Sequence, residues 1–449
     1  MLESAKQLIR KYNVPGPRYT SYPTVPYWSN DALSPKEWVE TFQNNSSAAP
    51  DVSVYIHLPY CESLCTFCGC HKRITKNHAV ETPYIDAVLK EWSMYKNYLP
   101  FTPNISEIHF GGGTPTFFEP SELKRLTEGI LGNQHADFSP QLSFEAHPNN
   151  TTDEHLATLY RAGFRRLSLG IQEYSPSVQK AINRIQSFEQ VKSVHVKAKE
   201  MGYTSISHDL VYGLPKQTLA DVIDTIEKTI FLMPDRIALY SYAHVPWIKG
   251  VGQRGFDEDD LPKDEVKRAL YESARERLFD AGYKEIGMDH FALEHDELYH
   301  AFSSKTLHRN FMGYTTKTSK TMIGLGMSAI SDSWYGFAQN DKSVEGYLQK
   351  VNEGVLPIFR GHLLSEKDLI IRQHILDIMC HFETVCSAEL LASVKDRLSE
   401  LIEDKIVKID GNKVSLSEDG LPFIRNCCMA FDDYLFHDKG SVPMFSKTI

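Results

Sequence analysis

Six short runs in the first 245 residues are rich in β-forming residues: 52–58 (VSVYIHL), 107–110 (EIHF), 142–146 (LSFEA), 166–172 (RLSLGIQ), 204–213 (TSISHDLVYG) and 236–245 (RIALYSYAHV). Between them, residues 80–99, 153–164, 188–203 and 218–233 carry apolar side chains at spacings of three and four. Strand-like runs alternating with amphipathic helical stretches predict an α/β fold whose strands lie parallel in one sheet. Right-handed crossovers throughout would curl six strands into a partial (β/α)6 parallel barrel, with the functional loops at the strand C-terminal ends.

The flanks differ in character. Residues 1–50 include VPGPRYTSYPTVPYW, where prolines and aromatic residues disfavour regular helix and suggest an extended arm laid over something else. The barrel is expected over 51–300, a connecting segment over the active site at 301–360, and a smaller, mostly helical C-terminal domain at 361–449. Within that domain a helix followed by two short strands around Asp410-Gly411-Asn412 suggests a winged-helix-like module.

Composition narrows the function classes. The chain has 449 residues, of which 42% are hydrophobic and 24% charged, enough for one large core and a satellite domain. Its net charge is −10, and no Lys/Arg block of five occurs, which argues against nucleic acid as a partner. No apolar stretch approaches the roughly 18 residues of a spanning helix, and the N-terminus has no apolar signal region, so no membrane partner and a cytoplasmic location are expected. In that setting disulfides are disfavoured, and the Asn-x-Thr matches at Asn149 and Asn150 are discounted as glycosylation acceptors.

Four of the eight cysteines lie in one run, CESLCTFCGC, directly after the first predicted strand. Cys61, Cys65, Cys68 and Cys70 could be a metal or cluster site, a redox thiol motif or structural cysteines. Three thiolates within eight residues can hold three irons of a [4Fe-4S] cluster and leave the fourth iron for an exogenous ligand. A zinc site using Cys68 and Cys70 is the competing metal reading. Cys380, Cys386, Cys427 and Cys428 are expected to be buried free thiols.

The CxxxCxxC spacing, with Phe67 before the last cysteine, resembles the radical S-adenosylmethionine (SAM) enzymes. The segments PGPRYTSYPT, YIHLPYCESLCTFCGC, HFGGGTPT, RLSLGIQEY, DLVYGLPKQT, YAHVP, IGMDHFA, LHRNFMGYTT, GLGMSAIS and IRNCCMAFDDYL resemble, in order, the oxygen-independent coproporphyrinogen III oxidases of haem biosynthesis. The haem-chaperone-like relatives usually lack the cysteine equivalent to Cys70 and the PRYTSYPT arm, both of which are present here.

The resemblance implies that Cys61, Cys65 and Cys68 ligate a [4Fe-4S] cluster and that two SAM molecules bind per chain. It assigns Gly112 and Glu145 to the cluster-bound SAM, and Gly113, Thr114, Gln172, Arg184 and Asp209 to the second. Tyr55, Phe67, Ala243 and Ile330 match further contacts to the two molecules. Glycines after a strand suit close approach to a ligand, and a carboxylate at Glu145 among apolar neighbours calls for a cationic partner. The competing reading of the second set is an internal Arg-Asp ion pair. One departure is His147, which stands where the family pattern has an acidic residue.

The implied reaction converts two propionates of coproporphyrinogen III to vinyl groups, giving protoporphyrinogen IX, with SAM cleaved to methionine and 5'-deoxyadenosine. A reduced flavodoxin- or ferredoxin-like donor and a monomeric enzyme are expected with it. Arg18 and Arg309 are candidate partners of the substrate propionates, the alternative being that they brace the arm. The alternative functions are a haem-binding chaperone and a radical SAM enzyme that opens the porphyrin ring.

Overall fold

The computed structural model of the chain describes residues 3–29, 33–44, 51–132, 139–245, 253–437 and 445–448. A twelve-stranded sheet runs through it. Its strands are β1 (Asp51–Leu58), β2 (Asn104–Gly112), β3 (Gln141–Ala146), β4 (Arg166–Gln172), β5 (Ser205–Tyr212), β6 (Arg236–Ser241), β7 (Lys284–Glu285), β8 (His290–Ala292), β9 (Thr321–Leu325), β10 (Ile330–Asp332), β11 (Gly336–Asn340) and β12 (Ile358–Leu363). The spatial order is β12-β11-β10-β9-β1-β2-β3-β4-β5-β6-β8-β7. β1 to β6 pair in parallel and in chain order, as the alternation predicts.

Residues 321–363 extend this sheet. β9 joins β1 in parallel, and β10 to β12 follow antiparallel. In the sequence that region reads as a connection because its strands are short and interrupted by glycine and polar residues. The periodicity also singles out no helix between β2 and β3, where Pro120–Leu131 is helical.

The helices against the sheet are α1 (Glu81–Tyr98), α2 (Pro120–Leu131), α3 (Asp153–Arg161), α4 (Phe188–Met201), α5 (Leu219–Leu232) and α6 (Asp264–Asp280). Their starts are encoded locally: Thr152/His155, Ser187/Gln190 and Thr218/Asp221 form reciprocal caps at α3, α4 and α5. The main core lies between these helices and the strand positions Val54, Ile56, Ile108, Phe110, Leu142, Phe144, Leu167, Leu169, Ile206 and Leu210.

The alternate positions are polar. Tyr55 lies in register with His109, His109 with Ser143, Glu145 with Ser168, Ser168 with Ser207, and Gly170 with Asp209. Successive residues of a strand face opposite sides, so these side chains share the face away from the helices.

The C-terminal region contains helices Glu366–His381, Ala388–Glu403 and Ile424–Phe431, and a hairpin of Val407–Asp410 with Lys413–Leu416. The arm is pinned to it. Arg425 Nε donates to the Pro17 carbonyl at 2.8 Å, and the Tyr19 hydroxyl donates to Asp432 Oδ2 at 3.0 Å. Farther along, Trp28 stacks on Phe337 of β11 with ring centroids 5.1 Å apart. The four C-terminal cysteines are free and buried. Among the described residues no helix is long and apolar enough to cross a membrane.

Candidate active site

The cysteine run leaves the end of β1 and is held from two sides. Thr66 N donates to the Ile182 carbonyl at 2.9 Å, and Asn183 Nδ2 to the Leu64 carbonyl at 2.7 Å, which ties the run to the segment after β4. Phe67 packs into an apolar cluster with Val178, Ile182, Val211, Leu214 and Tyr242. Gln253 Nε2 bridges the carbonyls of Phe67 at 3.4 Å and Ala243 at 2.7 Å. Ala243, just beyond β6, is thereby brought to the same loop.

Two of the three proposed ligand sulfurs have a donor aimed at them: Thr114 Oγ1 donates to Cys61 Sγ at 3.4 Å and Arg184 Nη1 to Cys65 Sγ at 3.7 Å. Cys68 lies beside Cys70, and that neighbour, aided by the Lys72 and Arg184 charges, lowers the Cys68 pKa, while Cys68 raises that of Cys70. Burial raises Cys61 to about 11. Among the described residues no group of three His, Cys, Asp or Glu side chains is placed to hold a single metal ion. The fit to a cluster rests on donor chemistry: soft thiols on one loop, two of them with a hydrogen-bond donor of the kind that tunes a cluster thiolate.

The glycines after β2 allow close approach. Gly112 has φ +113°, and a Cβ there would stand 2.8 Å from the His57 imidazole; a Cβ on Gly113 would stand 2.6 Å from the Pro59 carbonyl. Only glycine fits both demands at 112. Tyr55 donates to His57 Nδ1 at 3.1 Å, and His57 Nε2–H donates to the His71 carbonyl at 2.8 Å, a direction fixed because a carbonyl only accepts. Burial lowers the His57 pKa.

Glu145 faces this corner. Its hydrogen-bond partner is His109, whose Nε2 lies 3.5 Å away, while His109 Nδ1 meets Ser143 Oγ at 2.8 Å. At that distance the bond is weak, so the carboxylate keeps acceptor capacity for a ligand.

A second group of polar side chains gathers on β4 and β5. Arg184 Nη2 and Gln172 Nε2 both lie 3.0 Å from where a Cβ of Gly170 would be, and Gly170 is in register with Asp209. Arg184 donates to the Gly170 carbonyl, and its Nε is a buried donor without a partner among the described residues. Asp209 instead accepts from Ser168 Oγ at 2.7 Å and Ser207 Oγ at 3.4 Å. Arg184 and Asp209 therefore take different partners. Burial raises Asp209 to about 6.

Ile330 opens β10, with its carbonyl against Gly324 of β9. His147 is a local cap: its Nδ1 accepts from Asn149 N at 3.1 Å, and burial lowers its pKa to about 3. Arg18 reaches the other rim, where Nη1 lies 3.2 Å from Asp289 Oδ2 and Nη2 donates to the Ser241 carbonyl at 3.0 Å. Arg309 lies over the Tyr314 ring at 4.5 Å, and its buried Nε and Nη1 have no partner among the described residues.

Sequence reasoning alone passes over His57, His109, Ser143, Ser168 and Ser207. The signal is present in the polar residues at alternate positions of strands whose other face is apolar.

Residues 55–229 match the family model described as the radical SAM superfamily. The oxygen-independent coproporphyrinogen III oxidase of Helicobacter pylori is 37% identical over 452 residues, 98% of each chain. That of Pseudomonas aeruginosa is 35% identical over 440 residues, 95% of each chain. This chain belongs to the oxygen-independent coproporphyrinogen III oxidase family. The solved coproporphyrinogen III oxidase of Escherichia coli, described as a radical SAM enzyme, superposes with a TM-score of 0.88 at 34% identity, covering 95% of this chain and 98% of that one. Membership in this family implies a [4Fe-4S] cluster and SAM.

Proposed function

We propose that this oxidase-family chain decarboxylates two propionates of coproporphyrinogen III oxidatively and without oxygen, giving the vinyl groups of protoporphyrinogen IX. The observation that carries the reading is the cysteine loop, with a donor at two of the three proposed ligand sulfurs, set beside the polar strand face in a chain related over 98% of its length to enzymes of that name. When bound, the cluster and SAM supply a 5'-deoxyadenosyl radical able to remove hydrogen from a propionate β-carbon.

Cys61, Cys65 and Cys68 would hold three irons, and SAM the fourth, beside Tyr55, Gly112, Glu145 and Ile330. A second SAM would lie against Phe67, Gly113, Thr114, Gln172, Arg184, Asp209 and Ala243. Two separate polar groups, one on β1 to β3 and one on β4 and β5, support a count of two. The chain's own role is to orient these groups and exclude water. Arg309, with two buried N–H groups free, and Arg18 at the rim would meet propionates. Electrons would come from a reduced flavodoxin- or ferredoxin-like protein to a monomeric, cytoplasmic enzyme.

Because the vinyl group forms with loss of carbon dioxide and one electron after hydrogen removal, anaerobic incubation with coproporphyrinogen III, SAM, a chemical reductant and a one-electron acceptor tests the reading. Vinyl products with 5'-deoxyadenosine are expected; ring-opened tetrapyrrole, or haem bound without turnover, would overturn it.

A further inference from the structure

Three cations gather beside the C-terminal end of the cysteine loop. Lys72 Nζ donates to the carbonyls of Cys68 and Cys70 at 3.3 and 3.2 Å. Its neighbour His71 meets Ser328 Oγ at 2.8 Å through Nδ1. Ser328 N donates to the Asp341 carbonyl at 2.7 Å, next to Lys342. The Ser328 carbonyl accepts from Gln339 Nε2 at 3.1 Å, and Gln339 Oε1 accepts from Arg360 Nε at 2.8 Å. This hydrogen-bonded chain runs from His71 to Arg360, with Lys72 next to His71 and Lys342 next to Asp341 in sequence, and all three cations are half-buried.

Aromatic rings flank the group. Lys342 lies 5.0 Å from the centre of the Phe359 ring, and Arg360 5.9 Å from that of Trp28 in the arm. Among the described residues none of the three cations has a carboxylate at ion-pair distance. The neighbouring carboxylates are taken elsewhere, Glu345 by Arg73 at 2.7 Å and Asp341 by Lys350 at 3.3 Å. In a chain of net charge −10, where carboxylates are in excess, a half-buried cluster of like charges is disfavoured unless an anion completes it. The repulsion registers on His71, which burial and the surrounding positive groups together push down to about 4.

We propose that Lys72, Lys342 and Arg360 dock propionate carboxylates of the tetrapyrrole, forming a second anchoring point on β12 and the cysteine loop, apart from Arg18 and Arg309. The inference rests on the proposed function. A substrate with four carboxylates needs cationic partners at more than one point of its rim. Arg360 lies beneath the arm, with Nη1 3.5 Å from the Val25 carbonyl, and His71 leads inward through His57 to Tyr55. Both relations tie the cluster to the arm and to the polar face of β1, where the proposed substrate and cofactor groups lie.

The test uses anaerobic, cluster-loaded enzyme carrying Lys342→Met or Arg360→Gln. Each should raise the KM for coproporphyrinogen III, and the Kd for the unreactive coproporphyrin III read by fluorescence quenching, about tenfold, the usual scale for one charge-assisted contact. kcat and cluster absorbance should hold, and Arg360→Lys should recover most of the affinity. Unchanged KM and Kd in folded, cluster-bearing variants would overturn the proposal. So would a loss confined to turnover driven by reduced flavodoxin, which would make the cluster a docking site for an acidic donor. If wild-type enzyme forms no vinyl product yet binds coproporphyrin III with this charge dependence, the docking site stands and the reaction assignment falls.

Discussion

Arg184 Nη1 lies 3.7 Å from Cys65 Sγ while its Nη2 donates to the Gly170 carbonyl. One guanidinium therefore spans the cysteine loop and the end of β4, joining the two halves of the proposed cofactor site. It is oriented by the cluster side as well as by the strand.

Serine substitutions separate ligands from neighbours in the loop. Cys61→Ser, Cys65→Ser and Cys68→Ser should each lose the visible charge-transfer absorbance after anaerobic reconstitution. Cys70→Ser should retain it, because three thiolates leave one iron for SAM and a fourth would close the site. Loss of the cluster in Cys70→Ser would revise the ligand set.

Arg184→Ala and Asp209→Asn should lower SAM stoichiometry from two to one in equilibrium dialysis while cluster absorbance persists. Asp209, pushed up to about 6, adds a pH dependence. Its charge is lost as pH falls through that value, so second-site affinity should drop between pH 7 and 5, and Asp209→Asn should flatten the profile. A wild-type stoichiometry of one at saturation would remove the second site.

Arg18 is an arm residue whose removal should leave SAM chemistry alone. Its ion pair with Asp289 is partly exposed, with 31% of the Arg18 side chain accessible, so Arg18→Ala should cost little stability, about 1 kcal/mol or less. KM for coproporphyrinogen III should rise severalfold, with dithionite-driven SAM cleavage unchanged. An unchanged KM would leave Arg18 as a brace between arm and barrel.

Glu91 on α1 holds the turn that leads to Ile330. Its carboxylate accepts from Gly326 N at 2.8 Å, Asn340 Nδ2 at 2.7 Å and the Tyr347 hydroxyl at 2.7 Å, all buried. Glu91→Ala leaves three buried donors without an acceptor and should cost about 3–5 kcal/mol in denaturant unfolding. Burial outweighs those bonds and raises the carboxyl from 4.5 to about 7. The folded state therefore holds the proton more tightly, and this contribution is complete below pH 4.5 and lost as pH rises through about 7. Wild type should lose stability over that window relative to Glu91→Gln, by up to about 3 kcal/mol; parallel pH profiles would refute the assignment.

The parallel strand order, the crossover helices and the cysteine loop are legible in the chain itself, because they depend on local periodicity and on spacing within a few residues. Apolar positions on one face of each strand and local caps such as Ser187/Gln190 act over short range. Only the assembled fold brings β9 beside β1, Glu91 to Gly326, and Lys72, Lys342 and Arg360 together. β1 and β9, Glu91 and Gly326, and Lys72 and the other two cations are separated by about 230 to 290 residues, so their pairing carries no local period to read. It is set by strand register and by the need to satisfy buried polar groups, which exist only once the sheet has formed.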